Sequence, residues 1–541
     1  MHRGKIVCIT VAVMLAAVTH AGAATAQTSF QRITGEGSSW SANAVDSLRI
    51  NLRTLGLTVD YNPSGSSAGR KNFLNGTVDF AVSDVPFQFS PEDGSAPENP
   101  AAGSYAYIPA TAGGTAFMYN LTIDRQPVTN LRLSSENVAK IFTGSITNWN
   151  HPAIAADNPG LRLPDLLIVP VVRSDGAGST AQFTRWMLSE HTDIWNGYCQ
   201  RSGRAPACGS TSFYPTVQGM IAQSGDIGVA GYVSQGFAEG SIGYVNYSYA
   251  TNVKFPAAKV LNKAGFYTEP TPSNVAVSLS SVPINTDPSD PATYLTPQLD
   301  AVYDGVDPRN YELSSYSYFI VPTAVSGQVT EAKGTTLAVM MQSSLCDAQQ
   351  QAAALGYAPL PISLVQAGFD QIGRIPGAAA ANLNLNLASC ANPTIAADGS
   401  SRLAELAPMP APCDAFGVLQ CSTGTGGARD IPTAVAAPPT TAPSTTSPAA
   451  ATPPAINPVA ATPPAITPST SPTTPAVVGA ASSSASSSRG SLPATGGSST
   501  SALIIGALLV VFGRAVVLVV RRPRTLERST SAGVAGTHPA G

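Results

Sequence analysis

The stretch Leu167-Ile168-Val169-Pro170-Val171-Val172, followed by Arg173-Ser174-Asp175-Gly176-Ala177-Gly178-Ser179 and then by residues 180–188, decides how the rest of the chain is read. Six apolar residues with no polar alternation predict a strand covered on both faces. Residues 180–188 repeat their apolar positions at helical spacing, so a helix follows the Ser/Gly loop. The same succession recurs elsewhere. Val78-Asp79-Phe80-Ala81-Val82 reads as a second buried strand, and 41–52, 70–74 and 138–142 read as helices. Strand–loop–helix alternation predicts α/β layers, with ligands at strand ends and against helix N-termini.

Three of the loops share one chemical design. Gly37-Ser38-Ser39-Trp40 precedes the first helix, Ser64-Gly65-Ser66-Ser67-Ala68-Gly69 the second, and Arg173 to Ser179 the third. Each supplies backbone N–H groups without helical partners, a hydroxyl, and glycine for close approach, a combination that favours an anion. One such loop alone is an ordinary serine N-cap. Three, together with an arginine whose guanidinium matches two oxyanion oxygens, point to an anion site.

Working outward, the chain has 541 residues, enough for more than one domain. Only 11% are charged, the net charge is -3 and Lys+Arg total 29, which provides no basic footprint for nucleic acid. Residues 1–26 read as a signal peptide: Arg3 and Lys5, an apolar run from Ile6 to Val18, and the small-residue site Ala24-Thr25-Ala26. Without Cys8 in that leader, Cys199, Cys208, Cys346, Cys390, Cys413 and Cys421 form an even set, as an exported protein favours. Six cysteines allow fifteen pairings. Proximity favours Cys199–Cys208 and Cys413–Cys421, leaving Cys346–Cys390. None has zinc-ligand spacing, and no metal or cofactor is expected.

Residues 431–488 contain no charged or aromatic side chain and repeat AATPPAINP (450–458) as AATPPAITP (460–468). That composition buries no core and favours extended polyproline II, so 431–491 is expected to be a stalk. Beyond it stand Leu492-Pro493-Ala494-Thr495-Gly496, an apolar stretch 502–520 interrupted by Arg514, and Arg521, Arg522 and Arg524. The order of these parts resembles the sortase sorting signal of Gram-positive surface proteins. The resemblance implies cleavage between Thr495 and Gly496, attachment to peptidoglycan, and a cell-wall location after a transient membrane precursor.

The folded part also resembles a known family. The residues that carry the likeness are Gly35-Glu36-Gly37-Ser38-Ser39-Trp40, Ser64 to Gly69, and Gly76-Thr77-Val78-Asp79-Phe80-Ala81-Val82-Ser83-Asp84-Val85-Pro86. Further on are Lys140-Ile141-Phe142-Thr143-Gly144-Ser145-Ile146-Thr147-Asn148-Trp149-Asn150, Arg173 to Ser179, and Ile242-Gly243-Tyr244-Val245. In order and spacing they resemble the phosphate-binding protein of bacterial phosphate ABC transporters. The resemblance implies a two-lobed, periplasmic-binding-protein-like α/β fold over 27–375, with lobe I at about 27–115 and 318–375 and lobe II at about 116–317. The hinge would be crossed near 113–120 and again near 317–322, and 376–430 would be a cysteine-containing appendix. It further implies a phosphate site of Ser39, Trp40, Ser66 and Asp84 from one lobe and Arg173, Gly178 and Ser179 from the other, with Asp175 orienting Arg173. A permease would be the partner, and a monomer is expected.

Asp84 beside an anion has a physical use. Phosphate at neutral pH carries a proton that a carboxylate accepts, whereas sulfate brings none and meets acceptor with acceptor in a dry cleft. Two residues depart from the family pattern Arg-x-Asp-Gly-Ser-Gly-Thr: Ala177 lacks a hydroxyl and Ser179 replaces threonine. Two other functions fit parts of the chain. A wall-anchored adhesin or sensor that kept the fold, with weak or different anion binding, fits the sorting signal. A surface phosphatase finds little support, since His151, His191 and His538 are the only histidines past the leader and no His-Glu-x-x-His is present. The chain is therefore expected to be a solute-binding protein and not an enzyme.

Overall fold

In a computed structural model that describes residues 30–204, 208–280, 282–290, 293–396 and 402–436, strand after strand is followed by a helix laid back on the sheet. The elements that position the site are β1 (Ile33–Gly37), α1 (Ala42–Thr54), β2 (Val59–Asn62), α2 (Ser66–Leu74), β3 (Phe80–Ser83) and β4 (Tyr105–Tyr119). After these come α3 (Ser135–Phe142), β5 (Val169–Arg173), α4 (Gly178–Glu190), β6 (Ile221–Gln223), α5 (Gly225–Val233), β7 (Ser241–Asn246) and α6 (Tyr247–Asn252). The chain returns through β8 (Ser314–Pro322), α7 (Glu331–Leu345) and α8 (Ile362–Ile372).

The eight strands are ordered β2-β1-β3-β8-β4-β7-β5-β6. Parallel pairs β1/β2 and β1/β3 lie at one side and β5/β7 and β5/β6 at the other, and antiparallel β8 and β4 join them. This mixed α/β sheet is the two-lobed, periplasmic-binding-protein-like arrangement. All fifteen residues of β4 are buried, so it carries no polar alternation to read. Its first part pairs with β8 as far as Gly114, and from Thr115 it pairs with β7. The partner change falls on Gly113-Gly114, where side chains would collide: a Cβ on Gly113 would lie 2.8 Å from the Trp40 ring and one on Gly114 2.3 Å from Pro270. A register shift at Ser317/Tyr318 skips Ala110 beside Pro109, whose missing N–H suits a bulge in a central strand.

Each lobe has its own aromatic packing. In lobe II, Phe117, Phe142, Phe183 and Tyr244 pack with centroids 5.1–5.7 Å apart. The hydroxyl of Tyr244 accepts the Arg173 N–H at 3.3 Å and pairs with Thr180 Oγ1 at 2.7 Å, which ties the site to that core. Disulfides join Cys199 to Cys208, Cys346 to Cys390, and Cys413 to Cys421.

The segment read as an appendix is part of the folded body, and it reaches both lobes. Cys390 is bonded to Cys346 after α7, and Thr394 Oγ1 donates to the Leu360 carbonyl. Farther on, the Cys413 and Val418 carbonyls accept from buried Arg132, Asp414 pairs with Lys259, and Arg429 with Glu269. Docking extends to Ala436, whose N–H donates to the Gly160 carbonyl, so 431–436 belong to the body and not to the stalk. The Thr433 hydroxyl accepts the Thr129 N–H and the Ile431 carbonyl accepts from Thr129 Oγ1, which composition alone does not reveal. Among the described residues no helix is long and apolar enough to cross a membrane. The leader, the tract from 437 onward, Thr495, Gly496 and the apolar stretch 502–520 lie outside the described residues.

Candidate functional site

Lobe I builds its share of the site from the ends of β1 and β3. At Gly37 φ is +143°, and a Cβ there would meet the Val82 carbonyl oxygen at 2.0 Å, so only glycine lets the chain turn so close to β3. The turn delivers Ser38 and Ser39 to the start of α1. Gly65 precedes α2 in the same way and leaves Ser66 as its first residue. Between them, directly after β3, stands Asp84. It accepts from Ser38 Oγ at 2.7 Å through one oxygen and from Ser66 Oγ at 3.1 Å through the other.

Lobe II answers with the ends of β5 and β6. Arg173 closes β5, and Asp175 holds its Nε and Nη2 in a two-pronged ion pair at 2.8 and 2.5 Å. Nη1 reaches Ser179 Oγ at 3.2 Å and Asp226 at 2.5 Å. Gly178 opens α4 and faces lobe I: a Cβ there would lie 2.7 Å from both the Asp84 carboxylate and Ser66 Oγ. Gln182, one turn into α4, donates from Nε2 to the Asp84 carbonyl at 2.7 Å. The Ser67 N–H donates to the Gly176 carbonyl at 3.0 Å. The lobes are thus in direct contact around the site.

Four helix starts converge on Asp84 and Arg173, those of α1, α2, α4 and α5; none is capped by its own N-cap side chain, while at α5 the Gly225 and Asp226 N–H groups donate to Asp175 Oδ1 and Ser39 Oγ, each at 3.0 Å. Their leading N–H groups lack helical acceptors, and their dipoles add positive potential at one point. The site is closed to solvent: Ser39, Ser66, Asp84, Arg173 and Ser179 are each at most 3% exposed and Asp226 is fully buried. Burial pushes the Asp84 carboxyl up to about 6, with the nearby Asp226 charge adding to the rise and Ser38, Ser66 and Arg173 pulling against it. Burial opposes the charge on Arg173, but Asp226 and Asp175 more than offset it and hold the guanidinium firmly protonated. Burial likewise opposes the charge on Asp175, and Arg173 outweighs it, leaving that carboxyl below its usual value. The assembly offers a fixed cation, backbone and hydroxyl groups, and, besides the Asp175 and Asp226 carboxylates that hold the cation, one carboxylate that does not touch it, Asp84: the complement of an oxyanion that carries a proton.

The structure gathers Ser39, Ser66, Asp84, Arg173, Asp175, Gly178 and Ser179 in this one place. Ser39 sends its hydroxyl to Asp226 at 2.7 Å, while its neighbour Ser38 serves Asp84. The Trp40 side chain turns to the hinge, where its indole N–H donates to Thr115 Oγ1 at 3.2 Å and its ring lies edge-on to Tyr357. The six disulfide cysteines take no part in the site. Ser38, Gln182 and Asp226 go unread in the sequence. Ser224-Gly225-Asp226 before the run 227–233 has the form of a helix start, which is the signal that marks Asp226. Gly65-Ser66-Ser67-Ala68-Gly69 has the spacing of a hydrolase nucleophile elbow, but Ser67 Oγ faces Arg70, and His151 and His191 serve elsewhere as a helix cap and a ring packed on Trp186. Among the described residues no group of His, Cys, Asp and Glu can hold a metal ion.

Residues 19–341 match the PBP superfamily domain. Phosphate-binding protein PstS of Xylella fastidiosa (strain Temecula1) is 31% identical over 350 residues, covering 63% of this chain and 84% of that protein. The chain belongs to the PstS family of the PBP superfamily. PstS of Pasteurella multocida is 35% identical over 244 residues, 45% of this chain and 64% of that one, a match just short of two thirds of the relative. PstS 2 of Mycobacterium tuberculosis (strain H37Rv) is 30% identical over 314 residues, 57% of this chain and 77% of that protein. As a PstS-family chain it is a solute-binding protein and not an enzyme.

Proposed function

We propose that this chain binds inorganic phosphate in the cleft by lobe closure, as an exported receptor that hands its ligand to an ABC permease. The observation that carries the reading is the placing of buried Arg173 and buried Asp84, from opposite lobes, in one site on which four helix starts converge. Arginine and the N–H groups serve an anion's acceptors, and Asp84 serves its proton. The naming of the relatives as phosphate-binding proteins agrees with that chemistry. Ligand contacts from both lobes favour the closed form, which is the form a permease would distinguish. The site residues act as phosphate ligands in this reading, with Ser38 added and Asp175 orienting Arg173. Export rests on the leader, and display on peptidoglycan rests on Leu492-Pro493-Ala494-Thr495-Gly496, with the tract from 437 as the spacer.

Enclosure sharpens the ligand class. With Ser39, Ser66, Asp84, Arg173 and Ser179 all buried, no face of a bound anion is expected to be left for an organic substituent. In equilibrium dialysis with labelled inorganic phosphate, unlabelled phosphate is expected to compete, while sulfate and phenyl phosphate do not. Competition by phenyl phosphate as strong as by phosphate overturns the enclosed-site reading. Absence of any phosphate binding by the folded chain overturns the function itself and leaves the wall-displayed adhesin.

A further inference from the structure

Asp226 is the one fully buried carboxylate at the cleft that neither the sequence motifs nor the proposed ligand set explains. It is the second residue of α5, and every oxygen it has is used. Oδ1 accepts the Asn246 N–H at 2.8 Å, from within lobe II. Oδ2 accepts Arg173 Nη1 at 2.5 Å, also from lobe II, and Ser39 Oγ at 2.7 Å, from lobe I. The backbone N–H of Asp226 returns to Ser39 Oγ at 3.0 Å, so the serine hydroxyl is gripped as donor and as acceptor. The same serine is held a second time from lobe II, where the Tyr249 hydroxyl donates to its carbonyl at 2.7 Å.

We propose that Asp226 is the positioning residue that couples the ligand arginine to lobe closure. One carboxylate oxygen fixes the far side of the guanidinium and simultaneously captures Ser39 from the opposite lobe. When the lobes part, Ser39 leaves, and the carboxylate retains only its lobe II partners. Closure therefore gains a charge-assisted hydrogen bond in a dry site, the kind with the largest net effect. Because that bond exists only in the closed form, it acts on ligand release more than on capture. Asp175, by contrast, holds Arg173 entirely within lobe II and the turn after it, and carries no such coupling.

The inference rests on phosphate being the ligand, so its test includes a measurement that needs no ligand. Nitroxide labels placed on the full chain at Ile50→Cys on α1 and Phe237→Cys in lobe II, 64% and 76% exposed, report the distance between lobes. Asp226→Asn keeps the shape and removes the charge, and Ser39→Ala removes the lobe I partner; because Ser39 is also a phosphate ligand in the reading above, the distances without phosphate carry the weight for that variant. Both are expected to move the population toward longer distances, with and without inorganic phosphate. Stopped-flow release of phosphate is expected to quicken about tenfold in either variant, with association changed less than threefold, and the double variant no faster than the faster single one. Unaltered distances in both variants, release rates that multiply in the double variant, or equal effects on association and release overturn the proposal. If the parent chain binds no phosphate yet the variants open, the phosphate reading fails and the role of Asp226 stands. If Asp226→Asn does not fold, Ser39→Ala alone decides by its distances.

Discussion

Ala177 is where this chain departs most plainly from the pattern of its family, and its surroundings say what the departure does. It occupies the N-cap of α4 with φ -103° and ψ 135°, the extended geometry from which a serine caps a helix. No neighbour replaces the missing hydroxyl: Ser174 is exposed and Thr180 Oγ1 is committed to Tyr244. Ala177→Ser is therefore expected to tighten phosphate binding about fivefold, on the order of 1 kcal/mol, as calorimetry will read. Asp84 gives a pH dependence of definite sign. Above about 6 its carboxylate is an acceptor and repels sulfate, and below about 6 it takes a proton and becomes a donor that sulfate can use. Sulfate affinity is expected to rise as pH falls from 7.5 to 5, narrowing the phosphate-to-sulfate ratio, and Asp84→Asn is expected to remove most of that pH dependence. Asp84 is legible in the sequence through the family likeness of the stretch Gly76 to Pro86. Asp226 is not, since its role arises from two contacts, with Arg173 and Ser39, that lie 53 and 187 residues away.

At the scale of elements, the loop–helix grammar of 37–41, 64–70 and 173–180 is local, and glycine, serine and apolar spacing write it directly. β4 is the opposite case. A strand buried along its whole length that changes partners at Gly113-Gly114 looks like any apolar run; the family likeness implies a hinge near 113–120, and the pairing with β8 and then β7 places the change of partner there. Trp40 shows the same limit: the family likeness implies a place for it in the phosphate site, and the structure shows its ring against Gly113 and its indole N–H on Thr115. A tryptophan seated on the hinge should report closure. Phosphate is expected to change the intrinsic emission of the chain, and Trp40→Phe to abolish most of the change while leaving binding within a few fold. A full signal in that variant assigns the reporter to another tryptophan and removes Trp40 from the hinge motion.

For the whole molecule, the residues after 375 alter the picture most. The family likeness places the end of the solute-binding body near 375 and composition starts the stalk at 431, yet 402–436 supply partners to charges that lobe II buries. Arg132, 1% exposed, depends on the Cys413 and Val418 carbonyls as well as on the Asp157 carbonyl, and Glu269, 6% exposed, on Gly426 and Arg429. Ending the chain before 402 leaves both only partly satisfied. A loss of roughly 2 kcal/mol or more is expected, visible as a lower denaturation midpoint at an unchanged fold by circular dichroism. An unchanged midpoint would mean that the segment merely rests on the surface.

The central claim is that Arg173 and Asp84, buried together where the two lobes meet, make this cleft a phosphate site. Calorimetric titration of the purified chain at pH 7.5, after stripping by unfolding and refolding, tests it most directly. Saturable one-to-one binding of phosphate, none of sulfate, and loss of the phosphate signal in Arg173→Ala are the predicted result. Equal binding of both anions, or phosphate binding that survives in Arg173→Ala, contradicts it.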